Sequence, residues 1–96
     1  MGTNELIKTK RDEILKIATK HGITSIRVFG SVARGDAQPE SDIDLLVEVG
    51  PTHSSFFPGG FVADLEELLV RKVDVVTPKG LHWFIRDRVL KEAVPL

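Results

Sequence analysis

Cysteine is absent from this 96-residue sequence, and so is any long apolar run. Without cysteine the chain cannot form disulfides, use a thiolate nucleophile or bind zinc through thiolates. No apolar stretch approaches the ~18 residues that a membrane-spanning helix needs, and no apolar signal segment opens the chain. We therefore expect a cytoplasmic protein with no membrane contact.

An excess of charge of one sign is also missing, because 13 Lys and Arg face 14 Asp and Glu, for a net charge of -1. Proteins that bind nucleic acid are usually more basic and gather their Lys and Arg into a patch. We therefore expect no direct nucleic-acid binding. The length and the 42% hydrophobic content fit a single globular domain over residues 1–96.

Hydrophobic periodicity predicts four helices and three strands. The predicted helices cover residues 3–21, 31–34, 61–70 and 80–93, and the predicted strands cover residues 25–29, 42–49 and 72–77. This order indicates an α/β (α+β) architecture in which helices pack on one face of a small sheet.

Strand alternation separates apolar from acidic side chains. Successive side chains of a strand point to opposite faces of the sheet. The apolar residues that would face the helices are Ile26, Val28, Ile43, Leu45, Val47, Val73 and Val75. Asp42, Asp44 and Asp74 then lie on the opposite face, and they come together if their strands are neighbours.

The most informative pattern joins Gly30-Ser31 to an Asp-x-Asp pair, Asp42 and Asp44, after ten intervening residues. Glycine lets the backbone approach a phosphate closely, and the serine hydroxyl with nearby helix amides adds donors. Two carboxylates side by side repel each other unless a cation lies between them, and Mg²⁺ binds such pairs together with substrate phosphates. The pattern predicts a phosphate-binding turn beside a metal-binding pair.

Purely structural interpretations, without a role in binding or catalysis, also exist for these residues. Asp-x-Asp alone is common at the start of surface strands. Arg34 is either a ligand of a triphosphate or a solvated surface arginine, and we expect Glu48, farther along the same strand, to be a bystander. A calcium loop of the EF-hand type is excluded by the apolar residues that follow Asp44, and no Gly-Lys-Ser/Thr of a Walker loop occurs.

At these residues the chain resembles the minimal nucleotidyltransferases of the DNA polymerase beta superfamily. The resemblance extends over nearly the whole chain, through residues 30–35, 41–47, 65–69, 73–78 and 92–95. It implies the nucleotidyltransferase fold, with a small mixed sheet of about three or four strands. One departure is Val70, which stands where the third helix usually ends in glycine, so that the helix cap is expected to be made in another way.

The resemblance also implies roles for particular residues. Gly30 and Ser31 would hold a nucleoside triphosphate, and Asp42, Asp44 and Asp74 would hold two Mg²⁺ ions. Such proteins are antitoxins paired with a HEPN-domain toxin RNase, and some transfer AMP from ATP to a tyrosine of that toxin. The expected partners are therefore ATP and a HEPN toxin.

Three functions stay open at this point. The first is Mg²⁺-dependent transfer of AMP to a hydroxyl of a partner protein. The second is an antitoxin that acts by binding and occlusion without catalysis. The third is a nucleotidyltransferase with a small-molecule acceptor, although such enzymes generally carry an additional substrate-binding domain.

Apolar residues outside the predicted core suggest a partner surface. The last helix carries a core stripe of Leu81, Phe84, Ile85, Val89 and Ala93, and a second stripe of Trp83, Leu90 and Val94. The loop before the third helix adds Phe56, Phe57 and Phe61. These residues either complete the core or form an interface, and the interface is slightly favoured.

Overall fold

A computed structural model describes residues 2–51 and 57–96 of the chain. In chain order the elements are α1 Thr3–Thr9, α2 Arg11–Lys20, β1 Ile23–Phe29, α3 Gly30–Arg34, β2 Ile43–Val49, α4 Gly59–Leu69, β3 Val73–Val76, a 3-10 turn Pro78–Gly80, α5 Trp83–Glu92 and β4 Val94–Pro95. The strands form one sheet in the order β3-β2-β1-β4. Strand β1 is antiparallel to β2 and β4, whereas β2 and β3 are parallel. The predicted α+β fold with a small mixed sheet is confirmed.

The predicted helix over residues 3–21 is wrong as a single element, because the chain breaks at Lys10 (φ -98°, ψ 7°) between α1 and α2. The break lets α1 follow its own tertiary contacts. The Thr3 hydroxyl donates to the Gln38 carbonyl at 3.2 Å, and the Asn4 amide donates to the Val32 carbonyl at 3.1 Å. Long-range hydrogen bonds therefore override a continuous helical pattern.

The C-terminal end also differs from its prediction over residues 80–93. Helix α5 begins only at Trp83, where the His82 ring nitrogen Nδ1 accepts the backbone N–H of Phe84 at 3.1 Å and caps the helix. Beyond the helix, β4 pairs Val94 with Val28 of β1. A two-residue strand leaves no periodicity in the sequence, so that only the pairing defines it.

The core lies between the sheet and the helices α2 and α4. Ile43, Leu45 and Val47 of β2 are fully or almost fully buried there, as the alternation predicted. Phe61 is also completely buried, so its interpretation as an interface residue is wrong. Phe57 is half-buried against the same cluster, which favours the core interpretation, and Phe56 lies outside the described residues.

Helix α5 lies on the carboxylate side of the sheet, where Ile85 and Val89 line a cavity together with Asp42 and Asp44. Because α2 and α4 pack on the other face, the helices cover both faces of the sheet, and the expectation that they pack on one face is wrong for α5. Val89 is buried, but Phe84 is 76% exposed, so its placement in the core stripe is wrong. The residues of α5 that line this cavity are Ile85, Arg88, Val89 and Glu92, and Phe84 is not among them. None of the helices in the described ranges is long and apolar enough to cross a membrane.

Val70 caps α4 in the left-handed conformation (φ 53°, ψ 42°), and its N–H donates to the Glu66 carbonyl at 2.9 Å. The expectation of a different kind of cap is therefore wrong, since the usual left-handed cap forms with valine in the place of glycine. The side chain is 78% exposed, so that burial offers little compensation for the backbone strain.

We expect Val70→Gly to raise the free energy of unfolding by about 0.5 to 1 kcal/mol. A left-handed L-residue costs roughly 1–2 kcal/mol, part of which is offset by the greater freedom of glycine in the unfolded chain. Urea denaturation measures the change. As the control, Glu67→Gly in the helical part of α4 should destabilise the protein by about 1 kcal/mol. Equal destabilisation by both substitutions would contradict the strain at Val70.

Candidate active site

The three predicted aspartates come together through the pairing of β2 with β3. Asp44 lies directly opposite Asp74 in this parallel ladder, and Asp42 immediately precedes β2 on the same face as Asp44. Asp42 and Asp44 are half-buried, whereas Asp74 is exposed. Burial raises the pKa of Asp44 above its ordinary value, and the nearby charges of Asp74 and Asp42 raise it further. The condition on which the grouping of the three aspartates depended, that β2 and β3 are neighbours in the sheet, is therefore met.

Gly30 forms the turn between β1 and α3 in a left-handed conformation (φ 70°) and packs against the Asp44 carboxylate. A Cβ atom at this position would overlap Asp44 Oδ2. Both the backbone angle and the close approach therefore require glycine. The Gly-Ser turn and the Asp-x-Asp pair, which are separate in the sequence, are in direct contact.

We expect Gly30→Ala to destabilise the fold by about 1–2 kcal/mol from the backbone angle, with an additional loss from the overlap with Asp44. Gly35→Ala is the matched control, because Gly35 has φ 79° and no atom lies within 4 Å of the place that an added methyl group would take. The difference in unfolding free energy between the two variants measures the packing of Gly30 on Asp44. Equal losses would show that this packing contributes nothing.

A cavity of about 430 Å³ opens beside this turn. Gly30, Ser31 and Arg34 line one side of it, and Asp42 and Asp44 line another. Helix α5 completes the wall with four side chains at helical spacing, namely Ile85, Arg88, Val89 and Glu92. The predicted site residues thus line one cavity, except Asp74, which lies beside Asp44 outside the lining.

Sequence reasoning assigned no role to Glu92, whose carboxylate bridges α5 and the Gly-Ser turn. Glu92 Oε2 accepts the Gly30 N–H at 2.9 Å, and Glu92 Oε1 accepts from Arg34 Nη1 at 2.9 Å. These hydrogen bonds, that of Gly30 first, lower the pKa of Glu92 below its ordinary value. The spacing of Arg88 and Glu92 with Ile85 and Val89 is the signal that could have placed both on one face of the helix.

Arg34 is neither a freely solvated surface arginine nor an arginine that is free to bind a triphosphate. Its side chain is 54% exposed, but its guanidinium pairs with Glu92 and also with Asp36, where Nε and Oδ2 are 3.4 Å apart. The hydrogen bond with Glu92, followed by the contacts with Asp36, raises the pKa of Arg34. An anion that enters the cavity would have to compete with Glu92 for this arginine.

The donor set suits a hard divalent cation, although residues 2–51 and 57–96 hold no cluster of three or more His, Cys, Asp or Glu that could bind a metal ion. Mg²⁺ needs only one or two protein carboxylates when waters and substrate phosphates complete its shell. The raised pKa of Asp44 reflects, besides burial, repulsion from Asp42 and Asp74 that a cation would relieve. Asp42 and Asp44 are therefore chemically suited to bind Mg²⁺.

Comparison with known proteins agrees with this geometry. Residues 11–96 match the model of the nucleotidyltransferase domain family, so the chain belongs to that family. It is 39% identical to a Methanocaldococcus jannaschii protein named as a protein adenylyltransferase, over 98% of this chain and 97% of that protein. It is 36% identical to the protein adenylyltransferase MntA of Thermococcus cleftensis, over 86% of this chain and 92% of that protein.

Solved structures give the same result. One described as a minimal nucleotidyltransferase has a TM-score of 0.85 and 40% identity, and the match covers 100% of this chain and 97% of that one. A toxin-antitoxin structure with AMP-PNP has a TM-score of 0.73 at 22% identity, over 88% of this chain and 69% of that one, and shares the fold. The chain therefore belongs to the minimal nucleotidyltransferases, as the resemblance implied.

Proposed function

We propose that this chain transfers AMP from ATP to a hydroxyl of a partner protein and thereby neutralises that partner. The observation that carries the proposal is the contact of the Gly30 turn with Asp44, which in turn lies opposite Asp74. This contact joins a turn suited to phosphate to a group of acids suited to a cation. The relatives named as protein adenylyltransferases support a protein as the acceptor.

Each residue of the site has a proposed part in the transfer. Gly30 and Ser31 would bind the polyphosphate through backbone and hydroxyl donors. Asp42 and Asp44, together with Asp74, would hold Mg²⁺, in one or two ions, which when bound stabilises the charge that develops on the α-phosphate. Asp74, exposed at the edge of the site, would orient the incoming hydroxyl and accept its proton. Pyrophosphate would leave along the Gly-Ser turn.

The proposed acceptor is a tyrosine of a HEPN-domain toxin RNase. One chain of a structure described as the toxin-antitoxin MntA-HepT shares this fold, which makes a toxin partner the first candidate to test. The purified toxin would be incubated with the chain, ATP and Mg²⁺ and then analysed by intact-protein and tandem mass spectrometry. Addition of AMP to a tyrosine is expected. An unmodified toxin that is nevertheless inhibited would instead support occlusion.

Occlusion is the second candidate, and exposed aromatic residues favour it. Trp83 is 78% exposed and Phe84 is 76% exposed at the start of α5. The Trp83 ring stacks on His82 and meets Phe84 edge to face, with ring centroids 5.6 and 5.8 Å apart. A rigid exposed aromatic group suits an anchor in a partner interface. Leu90 of the same predicted stripe is half-buried, and Val94 is 43% exposed.

We expect Trp83→Ala to weaken association with the partner toxin by roughly tenfold or more while it changes the free energy of unfolding by less than about 0.5 kcal/mol. Phe57→Ser should behave in the opposite way, because Phe57 packs on the core. Calorimetric titration against the toxin and thermal melts of each variant would test both. If Trp83→Ala lowers the melting temperature and leaves affinity unchanged, Trp83 is not an interface residue.

A further inference from the structure

Two arginines from different elements line the cavity, and their surroundings differ. Arg34 of α3 is engaged by Glu92 and Asp36. Arg88 of α5 is exposed and makes no hydrogen bond or ion pair with any residue in the described part of the chain, although its charge contributes to the lowered pKa of Glu92 one turn away. Because no acid occupies its N–H donors, the Arg88 guanidinium can offer them to phosphate oxygens in the cavity.

Glu92 lies one helical turn after Arg88 and, unlike Arg88, is hydrogen-bonded to other residues that line the cavity. Its two carboxylate oxygens accept the Gly30 N–H and the Arg34 guanidinium, each at 2.9 Å. A phosphate group that entered beside the Gly-Ser turn would use these same two donors. A glutamate carboxyl is ordinarily ionised at neutral pH, and these hydrogen bonds lower the pKa of Glu92 further, so a carboxylate anion already holds this position.

The charges that line the cavity favour displacement of Glu92 over simple addition of a phosphate. The acids Asp42, Asp44 and Glu92 outnumber the arginines Arg34 and Arg88 by one. Mg²⁺ bound by the two aspartates would offset their charges but would leave the pair of Glu92 and Arg34 intact, because neither aspartate takes part in that pair. A polyphosphate and the Glu92 carboxylate cannot accept the same hydrogen bonds at once.

We propose that Arg88 binds the polyphosphate of the nucleotide, and that Glu92 holds Arg34 and the Gly30 amide until the polyphosphate replaces its carboxylate. The inference rests on the proposed function and extends it to two residues of α5. It makes α5 the element that responds to nucleotide, because Glu92 must leave its two donors when phosphate arrives.

The test measures nucleotide binding without transfer. An ATP analogue with a methylene bridge between the α and β phosphates, with Mg²⁺, would be titrated calorimetrically into the chain without any acceptor. Glu92→Gln keeps an acceptor for the Gly30 N–H but loses the charge that holds Arg34, and it should bind the analogue about tenfold more tightly. Arg88→Gln should bind it about tenfold more weakly.

Matched controls separate position from net charge. Asp87→Asn and Arg86→Gln change the charge of the same helix by the same amounts. Both side chains are exposed, like that of Arg88, but neither lines this cavity. Both controls should bind the analogue within about twofold of the wild-type affinity. If Asp87→Asn changes the affinity for the analogue as much as Glu92→Gln does, and Arg86→Gln as much as Arg88→Gln does, the inference is wrong. The net charge of the helix would then explain the changes in affinity.

Competition with inorganic tripolyphosphate identifies the part of the ligand that is recognised. Both effects should persist with tripolyphosphate, which lacks the nucleoside. The gain in Glu92→Gln should also shrink in an Arg34→Gln background, because the two residues act through one contact. If Glu92→Gln has the wild-type melting temperature but binds the analogue no more tightly than the wild type, the proposed replacement of the Glu92 carboxylate by polyphosphate is wrong. If Glu92→Gln fails to fold, Arg88→Gln still tests whether Arg88 binds the polyphosphate.

The outcomes also separate this inference from the proposed function. Wild-type binding of the analogue without any transfer to the toxin would count against the function alone. Transfer with no effect of Glu92→Gln or Arg88→Gln on binding would count against the inference alone. Absence of analogue binding in every variant would count against both.

Discussion

Replacement of Asp44 by asparagine is expected to lower the rate of AMP transfer by at least ~10³-fold while the fold stays intact. Asparagine keeps the shape of the side chain that packs on Gly30 but removes the negative charge of the central acid. Asp44 adjoins both Asp42 and Asp74, so that it is the acid whose loss should most weaken a bound cation. Single-turnover transfer to the toxin, followed by mass spectrometry, measures the rate.

The same substitution should not destabilise the protein in EDTA at neutral pH. Burial and neighbouring acids raise the pKa of Asp44 in the folded state. The stability associated with a raised pKa is fully present below the unfolded pKa and is lost as pH rises through the folded pKa. Ionised Asp44 therefore costs stability at neutral pH, and Asp44→Asn should melt at the same or a higher temperature than the wild type.

Measurements at acid pH test whether the charge of Asp44 lowers the stability of the fold. The advantage of Asp44→Asn should shrink as the pH falls through the titration range of Asp44, since the wild-type carboxyl then becomes neutral as well. Glu48→Gln, at an exposed position farther along β2 and away from any helix terminus, is the control and should show no such change. Wild-type transfer by Asp44→Asn would refute the proposed role of the acids, and a lower melting temperature at neutral pH would refute the stated cost of the charge.

The positions of the aspartates could be predicted because strand alternation is a local property. Asp42 and Asp44 share a face once the chain is extended from residue 42 into the strand, whatever the rest of the fold does. Asp74 needed one further condition, that β3 pairs with β2, and the order of elements supplied it only as an expectation. The parallel register that places Asp74 opposite Asp44 depends on how α4 crosses back over the sheet.

The contributions of α5 could not be predicted in the same way. Glu92 meets Gly30 across 62 residues of sequence, and this contact depends on the docking of a helix rather than on its periodicity. The same dependence explains the error at Phe84, because periodicity gives the relative directions of side chains but not which direction faces the protein. The burial of Phe61 was missed for a related reason, since aromatics near a glycine-rich loop fit an interface and a core equally well.

Asp74→Ala is expected to slow the chemical step by ~10²–10⁴-fold and to change nucleotide affinity only a few-fold. Asp74 is exposed and does not line the cavity beside the Gly-Ser turn, so it is better placed to meet an incoming hydroxyl than the polyphosphate. Its charge also raises the pKa of Asp44, so that its removal should leave Asp44 more readily ionised. Loss of Asp74 should therefore affect the nucleophile more than it affects the binding of nucleotide.

Single-turnover transfer and calorimetric binding of the methylene-bridged ATP analogue, measured on the same preparations, separate these two effects. Glu48→Gln is the matched control, because Glu48 is an exposed acid farther along β2 that lines a different cavity, and it should transfer AMP at the wild-type rate. A slow chemical step in Asp74→Ala with near-normal binding supports a role toward the acceptor hydroxyl. Loss of analogue binding with an unchanged single-turnover rate at saturating ATP would place Asp74 with the nucleotide instead and refute that role.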